Sequence, residues 1–470
     1  MPICSREAAA AIWQAGVAAV DPRLLVRDFA RGHLAPAYEC ESVESVLVLG
    51  AGKAGRAMVE GLQEGLPPHM TQRGLVLVPQ GGEGQFGQVE VRAVRPAGIN
   101  LPTAEAMRGT LAMLDLAAAC QAHERIVVLV SGGGSAITPA PVAGVTLEEK
   151  IATTRLLAQA GADIVQLNTV RKHLSRFKGG GLIARIGQSP LGIEARNAGS
   201  HPVGQTVPKV SALIISDVVG DPLETIGSGP TVADPSTFAD SVACGRDLGV
   251  WDKLPESVRR YLERGLRGES NETLKSLPGW VENAVLGSNR IALSAAQSEA
   301  RKRGWKTLNL GSFFEGDTRA LAAFHLALIR SIRRGEPQEP PLCLLSGGET
   351  TVKLGPDPRP GGRNQEFALT LLRQLHPDEA GGLCLLAAGT DGEDGPTNAA
   401  GGFVDAQAKA IWQRRWGQDR PRMQARVDCF DNHALLGELD ALFSPGATGT
   451  NVMDLRVALI GGSEPPGSSQ

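Results

Sequence analysis

The chain of 470 residues has no apolar run approaching the roughly 20 residues that cross a bilayer. Its start, Met1-Pro-Ile-Cys-Ser-Arg6, lacks the apolar core of a signal peptide. It has no C-x-x-C pair. Seven cysteines, at 4, 40, 120, 244, 343, 384 and 429, are odd in number and far apart. That spacing suits neither a zinc site nor a disulfide framework and points to a reducing, cytoplasmic compartment. Charge of one sign is also missing: the net charge is −3, which leaves no electrostatic footprint for nucleic acid or an acidic membrane. An anionic ligand therefore needs local cations. The eight histidines show no H-E-x-x-H spacing and no Ser-His-Asp order stands out, which argues against zinc hydrolysis or a triad.

What the chain does have is 58 glycines and 42% hydrophobic residues, the composition of a globular α/β protein rich in tight turns. Its length predicts two domains. Strand-like runs at 46–49, 75–78, 126–130 and 212–216 alternate with helical patterns at 103–119 and 147–160, which predicts a parallel, doubly wound sheet. Apolar periodicity fades near residue 240, so the expected domains are 1–240 and 241–470. The second resumes with a strand at 283–286, helices at 289–303 and after the N-cap candidate Asp317, and strands at 342–345, 383–387 and 455–460. Residues 333–341 read as a loop and 463–470 as a disordered tail.

Chemistry gathers where strands end. Val46 to Leu49 run into Gly50-Ala-Gly-Lys-Ala-Gly55, with Gly50, Gly52 and Gly55 in G-x-G-x-x-G spacing before a helical segment. Such glycines let backbone amides approach a phosphate. The next strand ends in Pro79-Gln80-Gly81-Gly82 without the carboxylate that clamps a ribose in dinucleotide sites, and no Ser or Thr follows Lys53 as in a Walker A loop. A lone cation in that turn suggests phosphate handling rather than hydride transfer. A plain strand-turn-helix is the competing reading.

Ser131-Gly132-Gly133-Gly134-Ser135 offers an anion-binding nest, with no helix start expected close behind it because Pro139 and Pro141 follow. Asn168 to Gly181 carries Arg171, Lys172, His173, Arg176 and Lys178. A helix there places Asn168, Arg171 and Lys172 on one face and Ser175 with Lys178 on another. A solvated face is the ordinary fate of such a run; Arg171 or Lys178 on a phosphate or carboxylate is the second. Asp217 and Asp221 in one glycine-rich loop, and Asp391 and Asp394 in another, offer carboxylates for Mg²⁺ or for a nucleophile's proton. An Asx turn or helix cap is the commoner fate of each. Glu349 after two glycines suits a metal or a lysine, and Arg363 after Gly361-Gly362 suits a bidentate anion. The likeness of 128–135 to 344–351 hints at a duplication.

Taken together, GAGKAG at 50–55, SGGGSA at 131–136, the 167–184 segment, SDVVGDPLETIGSGPT at 216–231, SGGETTV at 346–352, GGRNQE at 361–366 and GTDGEDGPTNAAGG at 389–402 resemble type II glycerate kinases. The likeness spans roughly residues 5 to 460. Leu182-Ile183-Ala184 departs conservatively from the Leu-Ala of many members. The resemblance implies a Rossmann-like N-terminal domain, a smaller α/β domain with a MOFRL-type region at about 340–460, and an active site in the cleft between them. It also implies ATP-dependent phosphorylation of D-glycerate at the 2-hydroxyl, with Mg²⁺, in a monomer or homodimer. The family's key lysine and arginine fall on Lys53 and Arg363. Asp217 and Asp391 are then catalytic candidates. Gly50, Gly52, Gly55, Ser131 to Ser135, Asn168, Arg171 and Lys178 are binding candidates, and Asp221, Glu349 and Asp394 are metal candidates. The family is sometimes labelled hydroxypyruvate reductase, so an NAD(P)-dependent reductase is one rival. A non-catalytic sugar-phosphate binding module is the other.

Overall fold

The computed structural model describes residues 2–96, 101–197, 209–336, 339 and 341–461. The expected tail at 463–470 and part of the expected loop at 333–341 lie outside them. Two compact units emerge. The larger comprises 22–216 and 221–286; the smaller comprises 1–21, 217–220 and 287–470.

The larger unit is built on seven strands: β1 (Ser45–Ala51), β2 (Thr71–Pro79), β3 (Gly84–Phe86), β4 (Gln88–Arg95), β5 (Arg125–Val130), β6 (Val210–Ile215) and β7 (Val281–Gly287). Their order is β3-β4-β2-β1-β5-β6-β7. The β4-β2-β1-β5-β6 stretch is parallel, and the small β3 is antiparallel to β4. β5 and β6 are buried along their whole length, as a sheet covered by helices on both faces requires. Helices start where their caps dictate: Thr146 with Glu149, and Asp163 with Gln166, close capping boxes on Leu147–Gln159 and Ile164–His173. The chain runs outward from β1 to one side and then returns to build β5 and β6 on the other. The ends of β1 and β5 therefore form a topological switch point, where open α/β sheets bind ligands.

The boundary expected near 240 is corrected. Phe238, Val242, Leu254, Val258 and Leu262 pack with Val142, Leu157, Val170 and Leu174. The charged stretch after 240 thus completes the larger unit, and β7 joins its sheet. At the other end Ala9, Ile12 and Trp13 bury against Leu293, Ala296, Leu455, Val457 and Leu459, which assigns the first helix, Arg6–Ala18, to the smaller unit.

The smaller unit carries β8 (Lys306–Asn309), β9 (Phe314–Asp317), β10 (Leu342–Thr351), β11 (Leu383–Gly389), β12 (Gly401–Asp405), β13 (Leu442–Phe443) and β14 (Asp454–Ile460). The order is β13-β12-β11-β14-β10-β8, with β9 beside β10. This sheet is mixed: β14 lies antiparallel between β10 and β11, and β8 and β9 are parallel to β10. The difference removes the hint of duplication. Residues 131–135 leave β5 as a turn, whereas 346–351 continue β10 as strand. Asp317 does cap the helix Thr318–Arg333, accepting from the Ala320 amide at 2.9 Å.

Candidate functional site

At the switch point the three glycines of the first turn have separate steric reasons. A Cβ on Gly50 would stand 2.6 Å from the Leu129 carbonyl oxygen, one on Gly52 2.1 Å from Ser131 Oγ, and one on Gly55 2.8 Å from Val76 and Val78. They allow the turn to press on β5 and the helix Gly55–Gly65 to press on the sheet. The turn's amides are committed within the protein. Gly52 N donates to Leu77 O, Lys53 N to Gly132 O at 2.9 Å, Ala54 N to Ser131 Oγ at 3.1 Å and Gly55 N to Gly52 O. The expected amide cradle is therefore a clasp between two loops, and Ser131, buried, belongs to that clasp. What the turn presents outward is Lys53, which is exposed.

The second loop carries the cations' meeting point. Gly133 has φ +77 and precedes a short helix, Gly134–Ile137. The expectation that no helix starts there is thus corrected; Thr138 Oγ1 and N close its single turn on Gly134 O. A Cβ on Gly133 would meet the Arg95 guanidinium at 3.2 Å and the Lys53 side chain at 3.6 Å. Two cations from two strand ends therefore converge on this residue.

Ser135 is held by a deeper set. Lys178 Nζ lies 2.5 Å from both its carbonyl oxygen and its Oγ, and Arg171 Nη2 donates to the same Oγ. Ser135 Oγ shares a hydrogen bond of 2.9 Å with Ser228 Oγ, and Asn168 Oδ1 accepts from Ser228 Oγ and Arg171 Nη1, each at 3.3 Å. Ser228 reaches this place in a left-handed conformation, φ +63, between Gly227 and Gly229, which share that region. Such backbone strain in a non-glycine residue is uncommon and concentrates at functional sites.

Asn168, Arg171, Lys178 and Ser135, predicted separately, thus form one cluster. Lys172 and His173 do not join it. Lys172 pairs with buried Asp234 at 3.2 Å, and His173 bonds Thr169 O and Glu272. The helix ends at His173, so Ser175 and Lys178 do not share a helical face. Ser175 Oγ instead accepts from the amides of Phe177 and Lys178 and turns the chain inward.

The electrostatics of this cluster are one-sided. Burial holds Lys178 well below the usual lysine range, and neighbouring Arg171 and Lys150 add to it. Burial lowers Arg171 as well. Lys150, which donates to Leu174 O at 2.9 Å, is pushed down to about 7 by burial and by Arg171. Every charge that acts on these lysines is another cation. A buried group of cations with no carboxylate among the charges that shift its lysines is costly, and an anion beside it would lower that cost.

The smaller unit holds a different centre. Arg363 opens the helix Arg363–Gln374. Its Nε donates to both oxygens of Asp454, at 2.8 and 3.1 Å, and its Nη1 lies 2.7 Å from Glu349 Oε1. Burial works against its charge, but Asp454, Glu349 and Asp394 raise its pKa. Glu349 is pushed up by burial, Asp454 and Asp217, with Arg363 opposing. Glu349, expected at a metal or a lysine, is thus an arginine's partner.

Asp394 also departs from expectation. Its carboxylate accepts from the amides of Asn364 and Gln365, at 3.1 and 2.8 Å, and caps the helix from outside. A Cβ on Gly362 would strike it at 2.1 Å, which explains the glycine. Burial pushes this acid up to about 7, against the two amides. Asp391 Oδ1 accepts from Glu393 N at 3.2 Å, an Asx turn. Asp221 stands at φ +56 and is half-buried. It falls in the larger unit, while Asp217 falls in the smaller.

Among the described residues these carboxylates do not form an all-protein Mg²⁺ cage. Asp394 is taken by amides and Glu349 by Arg363, and no group of three or more His, Cys, Asp or Glu gathers to hold a metal among the described residues. Sequence reasoning missed Arg95, Lys150, Ser228 and Asp454. Ser228 lay within the flagged glycine turn at 227–230. The other three sit in strand or helix patterns that read as ordinary surface or core.

Residues 8–191 and 203–263 match a domain of unknown function (DUF4147), and residues 342–454 match the MOFRL family. Glycerate 2-kinase of Pyrococcus horikoshii is 36% identical over 424 residues, covering 90% of this chain and 89% of its own. A putative hydroxypyruvate reductase of Agrobacterium vitis is 35% identical over 463 residues, covering 98% and 95%. The crystal structure of glycerate kinase from Thermotoga maritima superposes with a TM-score of 0.80 at 31% identity, covering 97% of this chain and 99% of that one.

Proposed function

We propose, from the premise that this chain belongs to the glycerate kinase family, that its kinase reaction moves the γ-phosphoryl group of ATP to the 2-hydroxyl of D-glycerate. In that step the hydroxyl oxygen bonds to the γ-phosphorus and the bond to the β–γ bridging oxygen breaks. ADP leaves, and the hydroxyl proton passes to a carboxylate, Asp217 or Asp391.

The observation that carries the reading is the pair of buried cations, Arg171 and Lys178, on Ser135, with Lys150 near enough to act on Lys178. Both substrates are anions, and bringing them together is the main electrostatic cost of the reaction. Lys53, exposed beside Gly133, neutralises the transferring group in this reading. Arg363 takes the glycerate carboxylate or the transferring phosphoryl group. Gly50, Gly52 and Gly55 shape the turn that presents Lys53. Mg²⁺ accompanies the nucleotide phosphates here, and no step is assigned to it.

The reductase reading has less support. The amides of the glycine-rich turn are committed to Leu77, Gly132, Ser131 and Gly52, and β2 ends in Pro79 without a ribose-clamping acid. No helix among the described residues is long and apolar enough to cross a membrane, which agrees with small soluble substrates.

The test is product identification after incubation with D-glycerate, ATP and Mg²⁺. 2-Phosphoglycerate is expected, and enolase should consume it directly. Product that needs phosphoglycerate mutase first would place the phosphate on the 3-hydroxyl and overturn the regiochemistry. Oxidation of NAD(P)H by hydroxypyruvate without kinase turnover would overturn the activity.

A further inference from the structure

Asp454 has no place in the reaction described so far, yet its position is unusual. It begins β14, the central strand of the smaller unit's sheet, and it is registered opposite Gly348 on β10 and Gly389 on β11. Gly389 ends β11, where the 389–402 motif leaves the sheet, and Gly348 lies within β10 in the 346–352 motif. Its side chain is 0% exposed. One oxygen accepts from Arg363 Nε at 3.1 Å and Asn364 Nδ2 at 2.8 Å; the other accepts from Arg363 Nε at 2.8 Å and Arg456 Nη2 at 3.2 Å.

Arg456 is buried behind it, with its guanidinium 5.2 Å from the centre of the Phe367 ring. Its Nε and Nη1 find no hydrogen-bond partner among the described residues. A guanidinium so poorly satisfied is costly to bury. The one hydrogen bond that the guanidinium makes among the described residues goes to Asp454, so what it provides is a carboxylate fixed at that point.

From this geometry we propose that Asp454, supported by Arg456, is a positioning residue that sets the direction of the Arg363 guanidinium. It rests on the reading of Arg363 as a substrate-binding cation. A guanidinium has an edge that includes Nε and an end formed by its two Nη groups. Asp454 occupies Nε with both oxygens. The Nη end is turned toward Glu349, whose side chain is 46% exposed, on the side open to solvent. An incoming carboxylate or phosphoryl oxygen meets that end in a preset orientation and takes the seat that Glu349 fills. Asn364, next on the helix, braces the same carboxylate and links the setting to the helix start.

The test compares Asp454→Asn, Arg363→Lys and the double variant, with melting temperatures alongside. Asp454→Asn should lower kcat/KM for glycerate at least tenfold, and the double variant should be no worse than Arg363→Lys. Losses that multiply would overturn the proposal, as would near-normal kcat/KM in a folded Asp454→Asn enzyme while Arg363→Lys is impaired. An unimpaired Arg363→Lys enzyme would instead sink the reading of Arg363 on which this rests. Should Asp454→Asn fail to fold, Arg363→Ala decides. Added guanidinium ion, seated against Asp454, should restore part of its turnover, and a folded Arg363→Ala enzyme that guanidinium leaves unrescued overturns the proposal.

Discussion

The two units handle charge in opposite ways. In the larger, Lys150, Arg171 and Lys178 are buried together with no carboxylate among the charges that shift them. In the smaller, Arg363 is fenced by Asp454, Glu349 and Asp394, with Asp217 near enough to act on Glu349. The first arrangement is destabilised until an anion arrives and is suited to a highly charged phosphate group. The second already sets carboxylates against its cation. On the proposed reading a ligand at Arg363 has to displace a carboxylate, which favours a group that matches the fork's geometry over one that merely carries charge. On that reading one centre selects by charge and the other by shape.

Lys53 tests the charge side hardest. Lys53→Met removes the exposed cation beside Gly133 without touching the clasp, which uses the residue's backbone amide. The loss should resemble that of one electrostatic donor at a reacting group, about 2 to 4 kcal/mol or roughly 30- to 10³-fold in kcat. A folded variant with near-normal kcat removes Lys53 from the reaction. Arg363→Lys tests the shape side. It keeps the charge and loses the fork, and we expect kcat/KM to fall about 10- to 100-fold, a smaller effect than the first. Equal tolerance of Lys and Arg at 363 would erase the proposed contrast.

How far this contrast was legible in the sequence depends on distance along the chain. Strands β1, β2, β5 and β6 and the helices after 103 and 147 declare themselves by local periodicity, and the structure places them within a few residues of expectation. The glycines of the first turn were legible as a close approach. What approaches them, the β5 loop through Ser131 and Gly132, is about eighty residues away and leaves no local mark. Asn168, Arg171 and Lys178 stood out as a charge run in an odd glycine frame. Which of the run's five cations turn inward was not readable, because Asp234 and Glu272, which claim Lys172 and His173, come from distant segments. Asp394 illustrates the same limit. Its neighbours in sequence suggest a metal loop, and its neighbours in space are two helix amides.

The cationic centre also predicts a proton balance. Lys150 is pushed down to about 7 by burial and Arg171, while an unfolded lysine titrates near ~10.4. Between those values the unfolded chain binds more protons, so this group makes the ligand-free protein more stable as pH rises through the window. An anion seated beside the cluster favours the charged lysine, so its binding should take up protons near and above pH 7 and weaken toward pH 9. Calorimetry of ATP binding in buffers of different ionisation enthalpy reads the uptake directly. The uptake should shrink in Lys150→Met; its absence in the wild type would mean that the cations are not poised for an anion.

The smallest expected effect concerns Asp394, where the two accounts of an acidic residue at a glycine turn part company. As a cap it satisfies the Asn364 and Gln365 amides at the start of the helix that presents Arg363. Losing such a cap costs about 1 kcal/mol and at most ~2, so Asp394→Ala should lower the melting temperature by a few degrees and reduce activity modestly through Arg363. As a metal ligand it would set the concentration of Mg²⁺ at half-maximal activity. The cap account expects that concentration to stay put in Asp394→Ala and Asp394→Asn, whereas a rise of tenfold or more would restore the metal role. The pH dependence has the same source. The carboxyl is pushed up to about 7 by burial, so the folded protein holds a proton there that the unfolded chain, titrating near ~3.9, has released. The stability this group contributes is complete below pH 4 and declines as pH rises toward 7. Asp394→Asn, which cannot titrate, should flatten that limb of the stability curve while leaving the charge-driven behaviour of the larger unit unchanged.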